Sequence, residues 1–302
     1  MKVIAPDYYG KFKCIADKCK HNCCKGWEID IDDVTLRRYE KEGGALGEKL
    51  RKSIEITDNV AHFVLTEDER CPFLNSDGLC EIISALGEQA LCDICTDHPR
   101  WRVFFGSHTE IGVGMACEEA CRIILENREK VRYEVVSDKD FDGRNDDFQN
   151  WVIEKRGDLL KIAQDRTLDF YDREHAIIDA FGLILPRVDD FIDFVKGLER
   201  LDCAWDKMLD SDMRSDENKK LDDVTKEQIL VYFIMRHVGN AENRQDFIAR
   251  IAFCISSARL IERVYGNCDE TVCEVCRAYS AEVEYSDDNL IDAIDYFAIV
   301  NA

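Results

Sequence analysis

Apolar residues in the second half of the chain recur every three or four positions, a period that places them on one face of an α-helix. The longest stripe runs over residues 247–264 and is expected to end at Gly266. A nearly unbroken apolar run, ILVYFIMRHV, follows the capping-box sequence at 225–228 and predicts a buried helix. Shorter stripes at 188–195 and after Ser286, an expected N-cap, predict two further helices.

The first half of the chain shows shorter and less regular patterns. Residues 35–42 predict two helical turns, and Leu46, Leu50 and Ile54 should share one face of a second short helix. No longer period repeats along the sequence, so a repeat architecture is not expected.

Two segments of the first half are β-prone, at residues 60–65 and 107–115. Between them, the turn sequence at 75–78 separates two apolar runs and predicts a small hairpin that brings Cys71 close to Cys80. The whole pattern predicts a mainly α fold. An irregular, Cys-rich N-terminal region with short helices and a small hairpin is followed by a helical C-terminal region.

Composition divides the chain near residue 125. Residues 1–125 hold ten of the 15 cysteines and a net charge of −6, and residues 126–302 hold the other five and a net charge of −16. We therefore interpret 1–125 as a Cys-rich region that binds a metal ion or an iron–sulfur cluster, and 126–302 as an acidic helical region.

The formal net charge of the 302 residues is −22. A surface of this sign repels nucleic-acid phosphates and anionic membranes, which argues against both as partners. It attracts a basic partner, such as a protein that presents lysines.

The 15 cysteines bear on the compartment as well as on the chemistry. The N-terminal residues contain no apolar stretch that could act as a signal peptide, and no segment resembles a membrane span, so a cytoplasmic location is expected. Structural disulfides are uncommon there, and an odd number of cysteines cannot pair completely. Clustered thiols are therefore expected to be metal ligands or reactive groups.

The spacing of the cysteines leaves two metals open. Zinc takes four ligands, and Cys19-x₃-Cys23 together with Cys92-x₂-Cys95 would suffice. An iron–sulfur cluster also takes four cysteines, or three if one iron stays open. From their positions beside turns, the cysteines expected to bind metal are Cys23, Cys24, Cys71, Cys80 and Cys95.

Other cysteines are interpreted as small buried apolar residues. Cys121, Cys203 and Cys254 lie in apolar helical runs, where a free cysteine commonly packs in the core. The group Cys268-x₄-Cys273-x₂-Cys276 matches one ferredoxin spacing, but no fourth cysteine follows closely, so it is interpreted as part of a helix.

Five sequence blocks occur in a fixed order: FKCIADKCKHNCCKGWEIDID, RCPFLNSDGLCEI, LGEQALCDICTDHPR, GMACEEACRIIL and YSAEVEYSDDNL. Together they resemble the flagellin lysine-N-methylase family. The resemblance covers residues 6–125 and returns at 236–238 and 279–289, and its first part is also similar to zinc- or iron-chelating Cys-rich domains. The tail block departs from the family pattern at Ala281, where the family has arginine.

The resemblance implies methylation of lysine ε-amines on flagellin, or on another lysine-bearing protein, with S-adenosylmethionine as the donor. It also implies an iron–sulfur cluster, of the four-iron four-sulfur type, with zinc as the alternative. Carried over by motif, the implied metal ligands are Cys14, Cys19, Cys23, Cys24, Cys71, Cys80, Cys95 and Cys117.

Methyl transfer requires a neutral lysine amine, so a group that accepts or displaces its proton is expected near the methyl donor. The candidates are His98, Arg100 and Glu118, beside the Cys blocks. Each also has a structural alternative: His98 can cap a turn before Pro99, Arg100 can pair with a carboxylate, and Glu118 can begin a helix after Cys117.

The sequence contains no dinucleotide-binding signature, because GVG at 112–114 lacks the G-x-G-x-x-G spacing. S-adenosylmethionine is therefore not expected on a conventional nucleotide-binding sheet. Its amino and carboxylate groups could instead chelate an open iron of the cluster. A different class of function also stays open: a non-catalytic metal-chelating or redox-sensing binding protein, or a scaffold stabilised by zinc.

Metal analysis of protein purified without oxygen separates these alternatives. We expect iron together with acid-labile sulfide, because the resemblance implies an iron–sulfur cluster. Zinc without sulfide would instead indicate the scaffold, and would contradict the cluster. Chelation of the donor predicts a change in the cluster's absorption spectrum on addition of S-adenosylmethionine.

Overall fold

A computed structural model describes residues 2–139, 142–210 and 219–302, and within them helices predominate, as the sequence predicts. The strands are β1 (Lys2–Pro6), β2 (Asp30–Ile31), β3 (Ile54–Thr57), β4 (Val60–Phe63), β5 (Arg100–Phe104), β6 (His108–Val113) and β7 (Tyr133–Asp138). The helices are α1 (Asp33–Lys41), α2 (Gly44–Lys52), α3 (Glu81–Leu86), α4 (Asp93–Asp97), α5 (Glu118–Glu126), α6 (Asp147–Ala163), α7 (Phe170–Phe181), α8 (Val188–Lys196), α9 (Cys203–Leu209), α10 (Asp223–His237), α11 (Arg244–Asn267), α12 (Val272–Tyr279) and α13 (Asp287–Val300).

The chain forms two compact units, which are described separately. The Cys-rich unit comprises residues 13–99, and the helical unit combines the N-terminal residues up to 12 with the described residues from 100 to 302. The boundary expected near residue 125 lies at the end of α5, inside the helical unit.

In the Cys-rich unit, a small antiparallel sheet in the order β2-β4-β3 packs with short helices. Its core is aromatic: the Phe63 ring lies 4.9 Å from that of Phe73 and 6.0 Å from that of Tyr39, measured between centroids. Asp32 begins α1 by accepting a hydrogen bond from the Thr35 amide, which satisfies one of the unpaired donors of the first turn.

The predicted elements of this unit are mostly confirmed. Helix α1 and strand β4 lie where the pattern places them, and Leu46 and Leu50 belong to α2. The prediction for Ile54 is wrong, because α2 ends at Lys52 and Ile54 begins β3. The hairpin at residues 75–78 is reduced to a turn closed by a single bridge between Leu74 and Cys80.

The helical unit contains a four-stranded sheet in the order β5-β6-β1-β7. Strand β1 pairs in parallel with β6 and antiparallel with β7, while β5 and β6 form an antiparallel pair. The segment 107–115 therefore does contain a strand, β6, as predicted.

Helix α10 forms the centre of the helical unit. Every residue from Thr225 to His237 is buried, which confirms the predicted buried helix. Phe233 on α10 meets Phe253 on α11 and Tyr279 on α12 in edge-to-face contacts, with ring centroids 6.1 and 5.7 Å apart.

Two predictions about helix ends have different outcomes. Ser286 is the N-cap of α13, as expected, and accepts a hydrogen bond from the Asn289 amide. The capping box at 225–228 is wrong, since Asp222 caps α10 and accepts bonds from the amides of Val224 and Thr225. Asp222, three residues upstream, begins the helix one turn earlier, so Thr225 lies inside it.

The predictions for the cysteines assigned to the core also have different outcomes. Cys121 and Cys254 are fully buried, as predicted. Cys203 is exposed, because it is the first residue of α9 and follows the Asp202 cap at the surface.

Burial of α10 brings charged side chains into the interior. Glu227 is completely buried, and its carboxylate accepts hydrogen bonds from Arg173 at 2.6 Å and Arg166 at 2.8 Å. An ion pair of this kind does not by itself prove a gain in stability, but removing one partner leaves an uncompensated buried charge.

We expect Glu227→Ala to lower the free energy of unfolding by about 3–5 kcal/mol, because Arg173 then remains buried without its counter-ion. Urea unfolding followed by circular dichroism measures this change. Asp158→Ala, which removes exposed ion pairs on α6, serves as the control and should cost less than about 1 kcal/mol. Equal losses in the two variants would contradict the role assigned to Glu227.

Candidate metal and catalytic sites

Six thiols of the Cys-rich unit form a cluster that we call the thiol cluster. Backbone hydrogen bonds hold its segments together: the Cys71 amide donates to the Cys24 carbonyl at 2.8 Å, and Gly26 donates to Glu69 at 2.9 Å. Cys80 and Cys92 each lie immediately before a short helix, as the N-caps of α3 and α4. The members of the thiol cluster are Cys23, Cys24, Cys71, Cys80, Cys92 and Cys95.

Within the cluster, two pairs of neighbouring thiols are joined by a hydrogen bond. A hydrogen bond with Cys23 raises the pKa of Cys24 and lowers that of Cys23, and the Cys92–Cys95 pair behaves in the same way, with Cys95 the harder to ionise. Each pair is C-C or C-x₂-C in sequence, so its members lie close together by chain geometry.

The pairs also act on each other. Burial and the charges of the nearby Cys80 and Cys92 thiols together raise the pKa of Cys71 to about 11, against a hydrogen bond from the Phe73 backbone. The charge of Cys71 in turn raises the pKa values of Cys24 and Cys95. The thiols of the cluster therefore act on one another electrostatically, and at Cys24, Cys71 and Cys95 the neighbouring sulfurs oppose ionisation.

Such a neighbourhood fits the chemistry of a thiolate-bound metal. Several sulfurs that repel one another when ionised are stabilised together by a cation or an iron–sulfur cluster, and thiolates are the ligands that zinc and iron–sulfur clusters take. Within the described residues, however, no three His, Cys, Asp or Glu side chains are arranged so that they could hold a metal ion. The donor set thus fits by its chemistry, and the ligand assignment stays a prediction.

The remaining predicted ligands have different surroundings. The Cys14 sulfur accepts a hydrogen bond from the Ala16 amide at 3.4 Å, and the Cys19 thiol donates to the His21 carbonyl at 3.2 Å. Cys117 belongs to the helical unit, where it is the N-cap of α5. Cys92, omitted from the predicted set, is a full member of the thiol cluster; its C-x₂-C spacing to Cys95 is the sequence signal for it.

The three catalytic candidates occupy structural positions. The His98 ring lies 5.7 Å from that of Trp27. Arg100 donates from Nε to the Tyr9 hydroxyl at 3.0 Å and lies over the Phe12 ring. Glu118 is the first residue of α5, as its structural alternative proposes.

A second polar group, which sequence reasoning missed, lies inside the helical unit. Glu284 is fully buried and accepts a hydrogen bond from the Tyr232 hydroxyl at 3.0 Å. The Arg236 guanidinium lies 3.3 Å from the same carboxylate, and His237 Nε2 lies 2.5 Å from it. Tyr232 also accepts a bond from the Met115 amide at 3.1 Å. We call this group the Glu284 network.

Charge within the network determines which groups are ionised. Burial alone would raise the pKa of Glu284, but Arg236 and His237 outweigh it and hold that pKa below its usual value. Burial lowers the pKa of His237, against the opposing effect of Glu284. The network therefore contains a carboxylate, a guanidinium and a neutral imidazole at neutral pH.

The backbone around Glu284 is irregular. Residues Ser280–Glu284 form a π-helical turn between α12 and α13, and such turns occur frequently at functional sites. The turn also buries Glu282, which accepts a hydrogen bond from the Leu201 amide at 3.1 Å. Gly114 packs so closely on Arg236 that a side chain there would collide with the guanidinium. In the sequence, the blocks at 236–238 and 279–289 contain residues of this network. Neither block by itself shows that the two are in contact.

Three curated relatives match this chain over 129 residues, or 41% of its length. Two are proteins named Lysine-N-methylase, from Salmonella typhimurium and Salmonella choleraesuis, each 27% identical to this chain. The third is the Flagellar biosynthetic protein FliU of Salmonella muenchen, at 28% identity. The chain resembles the lysine-N-methylases.

The matched region is 32% of each lysine-N-methylase and 76% of FliU, so the chain spans about a third of the length of the former. No family model matches, and no solved structure is similar. No helix in the described part of the chain is long and apolar enough to cross a membrane.

The Glu284 network predicts a pH dependence. The pKa of His237 lies below its unfolded value of about 6.5, so its contribution to stability is complete above that pH and is lost as the pH falls through the folded pKa. We expect wild-type stability to decrease between about pH 7 and pH 5. In His237→Asn, which keeps a donor but cannot titrate, the decrease in stability should be smaller. Urea titrations at several pH values compare wild type with this variant. If the free energies of unfolding of both proteins change with pH in parallel, the role assigned to His237 is contradicted.

Proposed function

We propose that the protein transfers methyl groups from S-adenosylmethionine to lysine ε-amines of a protein substrate in a flagellar context, flagellin being the first candidate. The observation that carries the proposal is the similarity to two lysine-N-methylases and to FliU, over 129 residues of the chain. The acidic chain, with its net charge of −22, supports a lysine-bearing substrate.

The thiol cluster is the proposed site of the iron–sulfur cluster, with zinc as the alternative. Cys71 and Cys92 are buried with the core of the Cys-rich unit, so their sulfurs are held in place, while Cys24, Cys80 and Cys95 are partly accessible. When bound, an iron–sulfur cluster supplies positive charge and, at an open iron, a position for a small molecule. Cys14, Cys19 and Cys117 remain in the proposed ligand set by resemblance.

The substrate amine must lose its proton before it can attack a methyl group. A lysine in water is protonated at neutral pH, and nearby carboxylates favour that charged form. Acidic side chains can therefore collect the substrate, but burial of the amine or transfer of its proton to a base has to follow. His98, Arg100 and Glu118 stay the candidates for this step; His98 lies beside Trp27, Arg100 donates to the Tyr9 hydroxyl, and Glu118 begins α5.

The decisive test is incubation of protein purified without oxygen with flagellin and S-adenosylmethionine, followed by mass spectrometry of the flagellin. We expect lysines to gain methyl groups. Cys71→Ser should abolish the gain if the thiol cluster is required, and Cys203→Ser, which alters an exposed cysteine of the helical unit, should leave it unchanged. Circular dichroism of both variants shows whether they fold. Unmodified flagellin with protein that contains its cluster would overturn the proposal.

A second candidate function is a metal-chelating or redox-sensing binding protein. The observation that favours it is the thiol cluster itself, since six neighbouring thiols bind metal or form disulfides without any methyl donor. A protein that takes up iron or zinc but neither binds S-adenosylmethionine nor modifies flagellin would have this function.

A further inference from the structure

A groove in the helical unit lies between the start of α11 and the outer face of α13. Its volume is about 440 Å³, and its lining combines apolar and acidic side chains. Ile294 and Ala298 form part of the apolar floor, and Ile291 stands beside them with 57% of its surface exposed. Glu242 and Asp295 lie at the rim.

Three aspartates lie at or beside this groove. Asp295 lines it, and Asp288 and Asp292, spaced four and three residues apart along the helix, share a face of α13 with it; α13 contains no lysine or arginine. None of the three forms an ion pair with another residue in the part of the chain that the structure describes. Glu242 is exposed and likewise without an ion pair there.

Some acids elsewhere in the same unit are paired with a basic side chain on the next turn. Asp158 on α6 pairs with Lys161 at 3.0 Å, and Glu119 on α5 pairs with Arg122 at 2.7 Å. In the groove itself, Asp246 is paired with Arg250 at 3.0 Å. The aspartates of α13 have no such partner within the described residues: like charges at helical spacing repel one another, and a partner with positive charge relieves them.

We propose that this groove docks a lysine-bearing segment of the protein substrate. Apolar side chains of the segment pack on Ile291 and the groove floor, and its lysines lie against Glu242 and Asp295 of the lining and against Asp292 beside it. This inference rests on the proposed function, because it names the surface that collects the methyl acceptor.

The occupant is a lysine-bearing segment of the substrate and not a second copy of this chain. A second copy carries the same net charge of −22 and brings the same acidic row to the contact, so that two copies repel each other here. A segment that alternates apolar residues with lysines satisfies both features of the groove at once. Neutral peptides would fill the apolar floor but leave the carboxylates without partners.

The test measures binding separately from methylation. Fluorescence anisotropy of labelled flagellin monomer, titrated with the purified protein, should give saturable binding that weakens with added salt. The double variant D292K/D295K should weaken it by about tenfold or more, because two attractive contacts become repulsive. The matched control, D179K/D193K, makes the same change of charge on exposed, unpaired aspartates of α7 and α8 and should bind within about twofold of wild type.

A second pair of variants tests the apolar floor on the same helix. Ile291→Gln should weaken binding several-fold, whereas Ile299→Gln should not, although Ile299 is the more exposed at 77%, because it does not line the groove. If Ile291→Gln and Ile299→Gln weaken binding equally, the groove assignment is overturned. The same holds if D292K/D295K and D179K/D193K weaken binding equally. A wild-type protein that does not bind flagellin, or one that forms a dimer lost in D292K/D295K, overturns it as well.

Methyl transfer measured on the same samples keeps the two proposals distinguishable. If flagellin is methylated and its affinity is unchanged in every groove variant, the groove assignment is refuted and the proposed function stays intact. Groove-dependent binding without methylation refutes the enzyme and leaves the docking surface. Loss of both binding and methylation in D292K/D295K, with the control unaffected, supports both.

Discussion

The interior position of α10 is the constraint on which the helical unit depends. A helix buried on every side must also bury its polar residues, and each one then needs a partner from a neighbouring element. Glu227 obtains its partners from Arg166 and Arg173, near the end of α6 and on α7. Arg236 and His237 obtain theirs from Glu284, on the π-helical turn before α13. The packing of the surrounding helices is thus specified by charge as well as by apolar contact.

The same constraint links distant parts of the sequence into one site. Tyr232 accepts a hydrogen bond from Met115, shortly before Cys117, and donates to Glu284 in the tail. Two of the blocks that carry the family resemblance, near residue 115 and near residue 284, therefore meet on α10. An irregular turn and close packing at Gly114 accompany this meeting, and π-helical turns occur frequently at functional sites.

In the Cys-rich unit, the governing interaction is the repulsion that neighbouring thiols exert on one another. It raises the pKa values of Cys24, Cys71 and Cys95, and folding alone does not relieve this. A bound cation or cluster would, and this is the physical reason for the proposed metal-binding role. The helical unit has the complementary feature at its surface, where the aspartates of α13 lack partners and favour a basic one. The two features correspond to the two requirements of the proposed reaction, a cofactor and a lysine-bearing substrate.

The sequence by itself determined the local structure and the class of chemistry. Periodicity located α8, α10, α11 and α13, since helical spacing of apolar residues reflects burial of one face, and the cysteine blocks marked the thiol-rich region. Local signals misplaced Ile54 and the cap of α10, where a neighbouring residue competes for the same backbone groups. Only the tertiary structure decided that the segments of Cys24, Cys71 and Cys95 lie together and that Glu284 pairs with Arg236 and His237. These depend on contacts between residues far apart in the chain, which no spacing within a single segment encodes.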